Sequence, residues 1–418
     1  MAVYKDRIKL LIQNIMKKIL FFSCIAAALL SFVGCEETGN NGFEGTNYIY
    51  LESLGGNTTV WEQDETPLAV TIMLTSALSE DLNLTFAVEG TEGVLDIEGN
   101  PVTIKAGQKT ASFAIVSKNA DKVTGVENFK VVLDAATVLP DKVQLKEGFS
   151  FVVRSAAVSA LTDAQKAIVE AYKTATGIDL SKYLGVVNVS TRLTGITVDT
   201  YETFDKTVTG KTIIILADES TSEQPVLKMI TNPMGIETHM YDVLKTLTIK
   251  SETWLEEGES ADPCFGILMD GINWNDGTEE IFQMSLDGIK LGAESVDFVG
   301  EGVDQWGDQI QIVPFEYSFT AYDREVAVID ELSKDIEYWS SDATSNPAYH
   351  LNCTGITEDD TIYNYGDEDE EGNEYYAGET WVEASGVISN DKLEFTFCTA
   401  TGMDEDYTRV VATYTPNN

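Results

Sequence analysis

The sequence predicts a mainly β protein in two bodies, an antiparallel β-sandwich over residues 47–155 and a larger β-rich domain with two short helices over residues 156–418. Three observations lead there. Apolar and polar residues alternate with period two through most of the chain after Tyr48, the pattern of strands that turn one face to a core. Gly, Asn and Pro break the alternation at short intervals, and only two stretches join helical spacing to a capping residue. The 418 residues allow two or three domains at roughly 150 each, and 43% hydrophobic content fills their cores. Against 27 basic residues stand 69 acidic ones, a formal charge of −42. Such a chain repels a phosphate backbone, which excludes nucleic acid as a partner.

Taken in order, Lys17 and Lys18 precede an apolar run from Ile19 to Val33, closed by Gly34 and Cys35 and followed by Glu36 and Glu37. A charged start, an apolar middle and a small residue before a processing site make an export signal. A spanning helix needs about 20 apolar residues, so the run is too short to remain as one. Met16 heads a complete signal of its own, leaving residues 1–15 without a part in export. Val33-Gly34-Cys35 resembles the lipobox of bacterial lipoproteins, with Phe32 where leucine is usual. That resemblance implies that residues 1–35 are signal peptide and lipobox, with Cys35 acylated on sulfur (a palmitate-type anchor) and left as the new N-terminus. Cys35-Glu36-Glu37 and the Gly- and Asn-rich tether of residues 36–46 are similar to Bacteroidetes outer-membrane lipoproteins displayed on the cell surface. An anchor facing the periplasm is the alternative.

Between 47 and 155, Leu82, Leu84, Phe86 and Val88 alternate with Asp81, Asn83, Thr85 and Ala87, and Ala111, Phe113 and Ile115 with Thr110, Ser112 and Ala114. Turns fall at Gly55-Gly56, Gly90, Gly99-Asn100-Pro101, Ala106-Gly107 and Gly125, the spacing of a sandwich. The segment resembles a Calx-beta or related Ig-like (immunoglobulin-like) module. The likeness rests on Val60-Trp61-Glu62, the strand Ala69 to Leu74, Ser79 to Leu82, the turn Val102 to Gly107, and Glu127 through Leu133. Calcium-binding members of that family gather acidic loop residues at one end, and Glu62 and Glu127 stand at matching places. A tight site needs about six to eight oxygen ligands, so a structural spacer is the default and Ca2+ the one cofactor the resemblance admits.

The second body opens on a capping box, Thr162 with Gln165, ahead of an apolar stripe of Ala164, Ile168, Ala171 and Tyr172 that Gly177 ends. Strands are expected at Val186 to Val198, Thr212 to Leu216, Val226 to Ile230, Leu244 to Ile249, Ile281 to Leu286, Gln309 to Thr320, Trp381 to Ile388, Leu393 to Cys398 and Arg409 to Tyr414. One further helix is expected, capped by Asp323 and carrying Val326, Ile329, Leu332 and Ile336. The capped helix leading into Gly177-Ile178-Asp179-Leu180, with Val226 to Ile230 and Asn232-Pro233-Met234-Gly235, is similar to uncharacterised Bacteroidetes lipoproteins grouped under domains of unknown function.

No nucleophile elbow, phosphate loop or dinucleotide fingerprint is present. His239 and His350 belong to no ligand spacing. After processing, Cys264, Cys353 and Cys398 remain, allowing one disulfide at most and no zinc spacing. Asp367, Asp369, Glu371 and Gly372 resemble the first half of an EF-hand loop, but the twelfth place is Gly378, so a solvated acidic hairpin tip is the alternative. Two tryptophans sit among amides and acids, Asn273-Trp274-Asn275-Asp276 and Asp304-Gln305-Trp306-Gly307-Asp308. An indole face stacks on the C–H face of a sugar while carboxylates and amides take its hydroxyls; indoles that anchor loops onto a sheet are the plainer reading. The expectation is non-enzymatic capture of an extracellular ligand, a glycan first. A protein-binding adhesion or envelope-assembly role and a motif-less carboxylate hydrolase are the alternatives.

Overall fold

A computed structural model describes residues 45–196, 203–249, 272–275, 280–303, 309–324, 355–356, 366–368, 374–376, 382–400 and 407–417. Cys35 and the expected signal lie outside them. The described residues form two compact units, one ending at Ser155 and taking in Asn275 and Glu280, the other made of Ala156–Trp274 and Ile281 onward. No described helix is long and apolar enough to cross a membrane.

The first unit holds β1 (Asn47–Ser53), β2 (Thr59–Trp61), β3 (Leu68–Leu74), β4 (Leu82–Leu84), β5 (Phe86–Glu89), β6 (Leu95–Glu98), β7 (Val102–Ile104), β8 (Thr110–Ser117), β9 (Val126–Leu133), β10 (Val143–Leu145) and β11 (Phe149–Arg154). A five-stranded sheet, β10-β1-β3-β8-β6, faces a four-stranded one, β2-β11-β9-β5, and β4 pairs with β7. Alternate residues from both inner faces, among them Ile49, Val70, Ile72, Phe113, Ile115, Phe129, Val131 and Phe151, make one core. Pairing is antiparallel except at β1–β10 and β2–β11.

In the second unit, α1 (Asp163–Thr176) begins at the capping box: Gln165 N–H donates to Thr162 Oγ1 at 3.2 Å and Thr162 N–H to Gln165 Oε1 at 3.0 Å. It buries Val169 and Tyr172 and ends at left-handed Gly177. There follow β12 (Gly185–Ile196), β13 (Thr203–Leu216), β14 (Val226–Thr231), α2 (Glu237–Ile249), β15 (Phe282–Leu291), β16 (Ser295–Asp297), β17 (Gly300–Val303), β18 (Gln309–Val313), β19 (Phe315–Phe319), β20 (Gly355–Ile356), β21 (Gly366–Glu368), β22 (Glu374–Tyr376), β23 (Ser385–Ile388), β24 (Leu393–Ala400) and β25 (Tyr407–Thr415). The large sheet runs β14-β13-β12-β25-β24-β23-β16-β15, and β14 pairs back onto β15, which closes eight antiparallel strands into a barrel. β19 extends the same edge of β15 beyond β16. Eight strands leave an interior that side chains fill. Val189, Leu193, Ile214, Leu216, Met229, Leu286, Phe395, Phe397, Val410 and Tyr414 all belong to one buried cluster.

The turn after β14 folds into that cluster. Met234, with no exposed surface, donates its N–H to Tyr414 Oη at 2.8 Å, and its carbonyl accepts from Thr191 Oγ1 at 2.5 Å. Thr212 Oγ1 donates to Asn232 O at 2.8 Å and lies 3.0 Å from Tyr414 Oη. Gly235 has φ 71, and a Cβ there would stand 2.7 Å from Thr191 Oγ1, so only glycine lets the turn enter. Past the last β14–β15 pair, Met229 with Leu286, the Met284 N–H donates to Glu237 Oε2 at 2.8 Å. A side chain of α2 thus takes over where the strand stops.

Three local expectations are corrected. Leu244 to Ile249 is the second half of α2 and not a strand, because Ile236, Met240 and Leu244 recur at four-residue spacing and are buried. Pro314 has no N–H to donate and divides the expected strand Gln309 to Thr320 into β18 and β19. Asp323 lies inside a helical stretch, 320–324, instead of capping it. Residues 325–336 lie outside the described ones.

Candidate functional site

β16 and β23 pair through two steps, Ser295 with Val387 and Val296 with Gly386. Their close approach depends on Gly386, where a Cβ would fall 2.7 Å from Val296 Cβ. Beyond those two pairs the chains part. Asp297 and Val299 lead into β17, while Glu383 and Ala384 come from the other branch, and β18 adds Gln311 directly opposite Glu301 across the ladder. Opposed residues point to the same face of a hairpin. The fork encloses an open cleft of about 320 Å³ lined by Asp297, Val299, Gly300, Glu301, Gln311, Glu383 and Ala384. Its wall is mostly polar, and its lining residues bring three carboxylates that accept hydrogen bonds and one amide that accepts and donates. The Val299 N–H donates to Asp297 Oδ1 at 3.4 Å, which steadies that corner.

Trp274 is not at this cleft. It is 3% exposed in the second unit's core, its ring 5.1 Å from Phe319 at 83° and 6.1 Å from Tyr241. Its role as a sugar platform is therefore corrected, because both faces of the indole are covered and it anchors its segment instead. The buried Nε1 has no hydrogen-bond partner. Asn273, at φ 51, and Asn275 are exposed on either side. Asp276, Asp304, Trp306 and Asp308 lie outside the described residues; 304–308 is the segment joining β17 to β18.

The carboxylates expected for calcium are engaged in holding loops. Glu62 has no exposed surface, and its two oxygens accept the N–H of Lys122 at 2.7 Å and of Val123 at 3.1 Å. Glu127 accepts from Thr91 Oγ1 at 2.5 Å and from the Thr124 N–H at 3.3 Å. Asp367, the first place of the EF-hand likeness, pairs with Tyr375, the ninth, in the β21–β22 hairpin, the backbone arrangement of the hairpin alternative. Asp369 and Glu371 lie outside the described residues. Among those residues no three His, Cys, Asp or Glu side chains stand close enough to share a metal.

His239 is buried against Phe204, with ring centroids 6.0 Å apart, and its Nε2 lacks a partner. Burial, aided by the Lys206 charge, pushes its pKa down to about 4, so it is neutral near pH 7. Burial raises the Asp323 carboxyl, against the opposing pull of Arg324. Cys398 is buried and accepts the Val382 N–H on sulfur at 3.4 Å; Cys264, Cys353 and His350 are outside the described residues. Asp297, Glu301, Gln311 and Glu383 escaped the sequence reading. Their one local trace is Gly300-Glu301-Gly302, an edge strand thinned by glycine where a ligand or backbone can approach.

None of the curated proteins is similar to this chain. Among solved structures, the Paenibacillus sp. str. FPU-7 cell-surface chitinase ChiW is 16% identical over 28% of this chain, with a TM-score of 0.18, and the chain spans only 14% of its length. CBD12 from CALX1.2 is 11% identical over 47% of this chain and 87% of its own, at 0.21. A Bacteroides ovatus protein of unknown function is 7% identical over 89% of this chain and 95% of its own, at 0.19. Residues 43–157 match the model of the Domain of unknown function (DUF4929). Residues 159–415, more than half of the sequence and the part that builds the barrel and its cleft, match that of the Domain of unknown function (DUF8472), and the chain belongs to this family.

Proposed function

We propose that this chain is an exported lipoprotein, anchored through Cys35 in the outer membrane of a Bacteroidetes-type envelope and facing the cell surface, that captures a glycan without turning it over. The cleft at the fork of β16 and β23 carries the reading. Its carboxylates accept sugar hydroxyls, the Gln311 amide both donates and accepts, and an open wall of this size admits one or two sugar rings rather than a compact apolar ligand. Trp306, five residues after Glu301 in the sequence, is the indole assigned to stacking in this reading. The barrel interior is occupied by its own side chains, so ligand seats on the flank.

The test is binding of the purified exported chain to a glycan array, alone and as Glu301→Ala, Glu383→Ala and Trp306→Ala. A hydrogen bond to a charged group contributes about 1.5–3 kcal/mol, so each carboxylate variant loses roughly tenfold or more in affinity. Unchanged binding in all three variants overturns the assignment. Turnover abolished by substituting Asp297, Glu301 or Glu383 in a folded chain establishes the hydrolase alternative, and a stoichiometric protein retained in place of glycan establishes adhesion.

A further inference from the structure

We propose that the apolar loop 135–140 of the sandwich seats on the lipid surface to which the chain is anchored, a proposal that rests on the anchor reading. The strand registers define two ends of this unit. β1 begins at Asn47, opposite Val143, where β10 starts in parallel, and Ile49 pairs with Leu74, where β3 stops. β8 starts from the same end, Thr110 opposite Met73. Residues 45–46, 75–81, 105–109 and 134–142 therefore meet at one end, the end at which the chain arrives from residue 35. Residues 90–94 and 118–125 lie at the other, where Leu95 pairs with Ser117.

At the arriving end stands the most exposed large apolar side chain of the described residues, Val138 at 88%. Ala135, Ala136 and Pro140 are exposed around it, while Leu139 turns inward and packs on the core. The loop is held in shape: Asp134 Oδ1 accepts the Ala136 N–H at 2.8 Å, the Thr137 N–H reaches Asp134 O at 2.9 Å, and Thr137 Oγ1 donates to Thr85 O at 3.0 Å. Val138 is thus presented by a braced turn. Lys105, Lys109 and Lys142 stand against Glu80, Asp81, Asp134 and Asp141 there, so this end is close to neutral in a chain of formal charge −42 and is not driven off by headgroup phosphate. From Cys35 to Asn47 the chain reaches at most about 40 Å, which confines this end to the bilayer's neighbourhood. A lipid surface fits better than a protein, because a stable protein interface needs about 800 Å² on each side and four small apolar residues supply far less.

The experiment uses the full acylated chain in phosphatidylethanolamine and phosphatidylglycerol vesicles with brominated acyl chains, which quench nearby indoles. Val138→Trp is compared with Glu92→Trp, an exposed position at the far end, each after subtraction of the wild-type signal. The Val138→Trp indole is expected to lose roughly twofold more fluorescence than the Glu92→Trp indole, as for groups set a few ångströms below the headgroups. Equal quenching at the two positions overturns the proposal. Radiolabelled palmitate, followed in wild type and in Cys35→Ser, reads the anchor separately. If none enters the wild type, the same variants are held on the vesicles by an N-terminal hexahistidine tag and a nickel-chelating lipid, and the comparison still decides the loop.

Discussion

At the scale of single residues, Trp274 and His239 show why polar atoms in a core are informative. Trp274 fills a pocket among Phe319 and Tyr241 with its N–H unpartnered. Trp274→Ala is expected to cost about 3–5 kcal/mol of folding stability in urea denaturation, and Trp274→Phe much less, because phenylalanine removes the orphaned donor along with the smaller part of the ring. Neither is expected to touch glycan affinity. For His239 the sign follows from its depressed pKa, about 4 when folded against 6.5 when unfolded. Between those values the unfolded chain binds the extra proton, so the contribution is whole above about pH 6.5 and is lost as pH falls toward 4. On the order of 3 kcal/mol is at stake. Urea midpoints at pH 7 and pH 4.5 should fall further apart in the wild type than in His239→Leu.

Among the elements, those with a local cause were legible. Thr162 and Gln165 announced α1, and alternation announced β3, β8, β9, β12, β24 and β25. α2 was not legible, because Thr246, Thr248 and Ile249 favour strand locally while the four-residue recurrence of Ile236, Met240 and Leu244 shows up only over three turns. The turn Asn232 to Gly235 looked like a plain breaker. Its hydrogen bonds to Thr191, Thr212 and Tyr414 come from strands 20 to 180 residues away, beyond any local signal. Gly235→Ala is expected to destabilise the second unit by about 1–3 kcal/mol, since the added methyl meets both a positive φ and the Thr191 hydroxyl. Loss of its cooperative transition at lower urea, with the sandwich transition unmoved, is the reading to look for.

For the whole molecule, the class was legible and the closure was not. Period two tells which face of a strand is buried, but the pairing of β14 with β15 that turns a sheet into a barrel joins residues about 60 apart. The cleft was hidden for the same reason: Asp297 and Glu383 lie 86 positions apart and meet only because two short strands diverge. The tryptophan motif was visible, and at Trp274 the plainer of its two readings, an indole that anchors its segment, is the one found; composition alone does not say which side of a loop turns inward. Consider finally the chain's own turn lodged in the barrel, latched to Tyr414 and Thr191. On the capture reading, this plug of the chain's own residues does not have to leave the barrel before a guest reaches the outer wall. If the chain is tethered as proposed, many copies side by side add avidity to an open cleft, which suits a long, repeating guest better than a small solitary one.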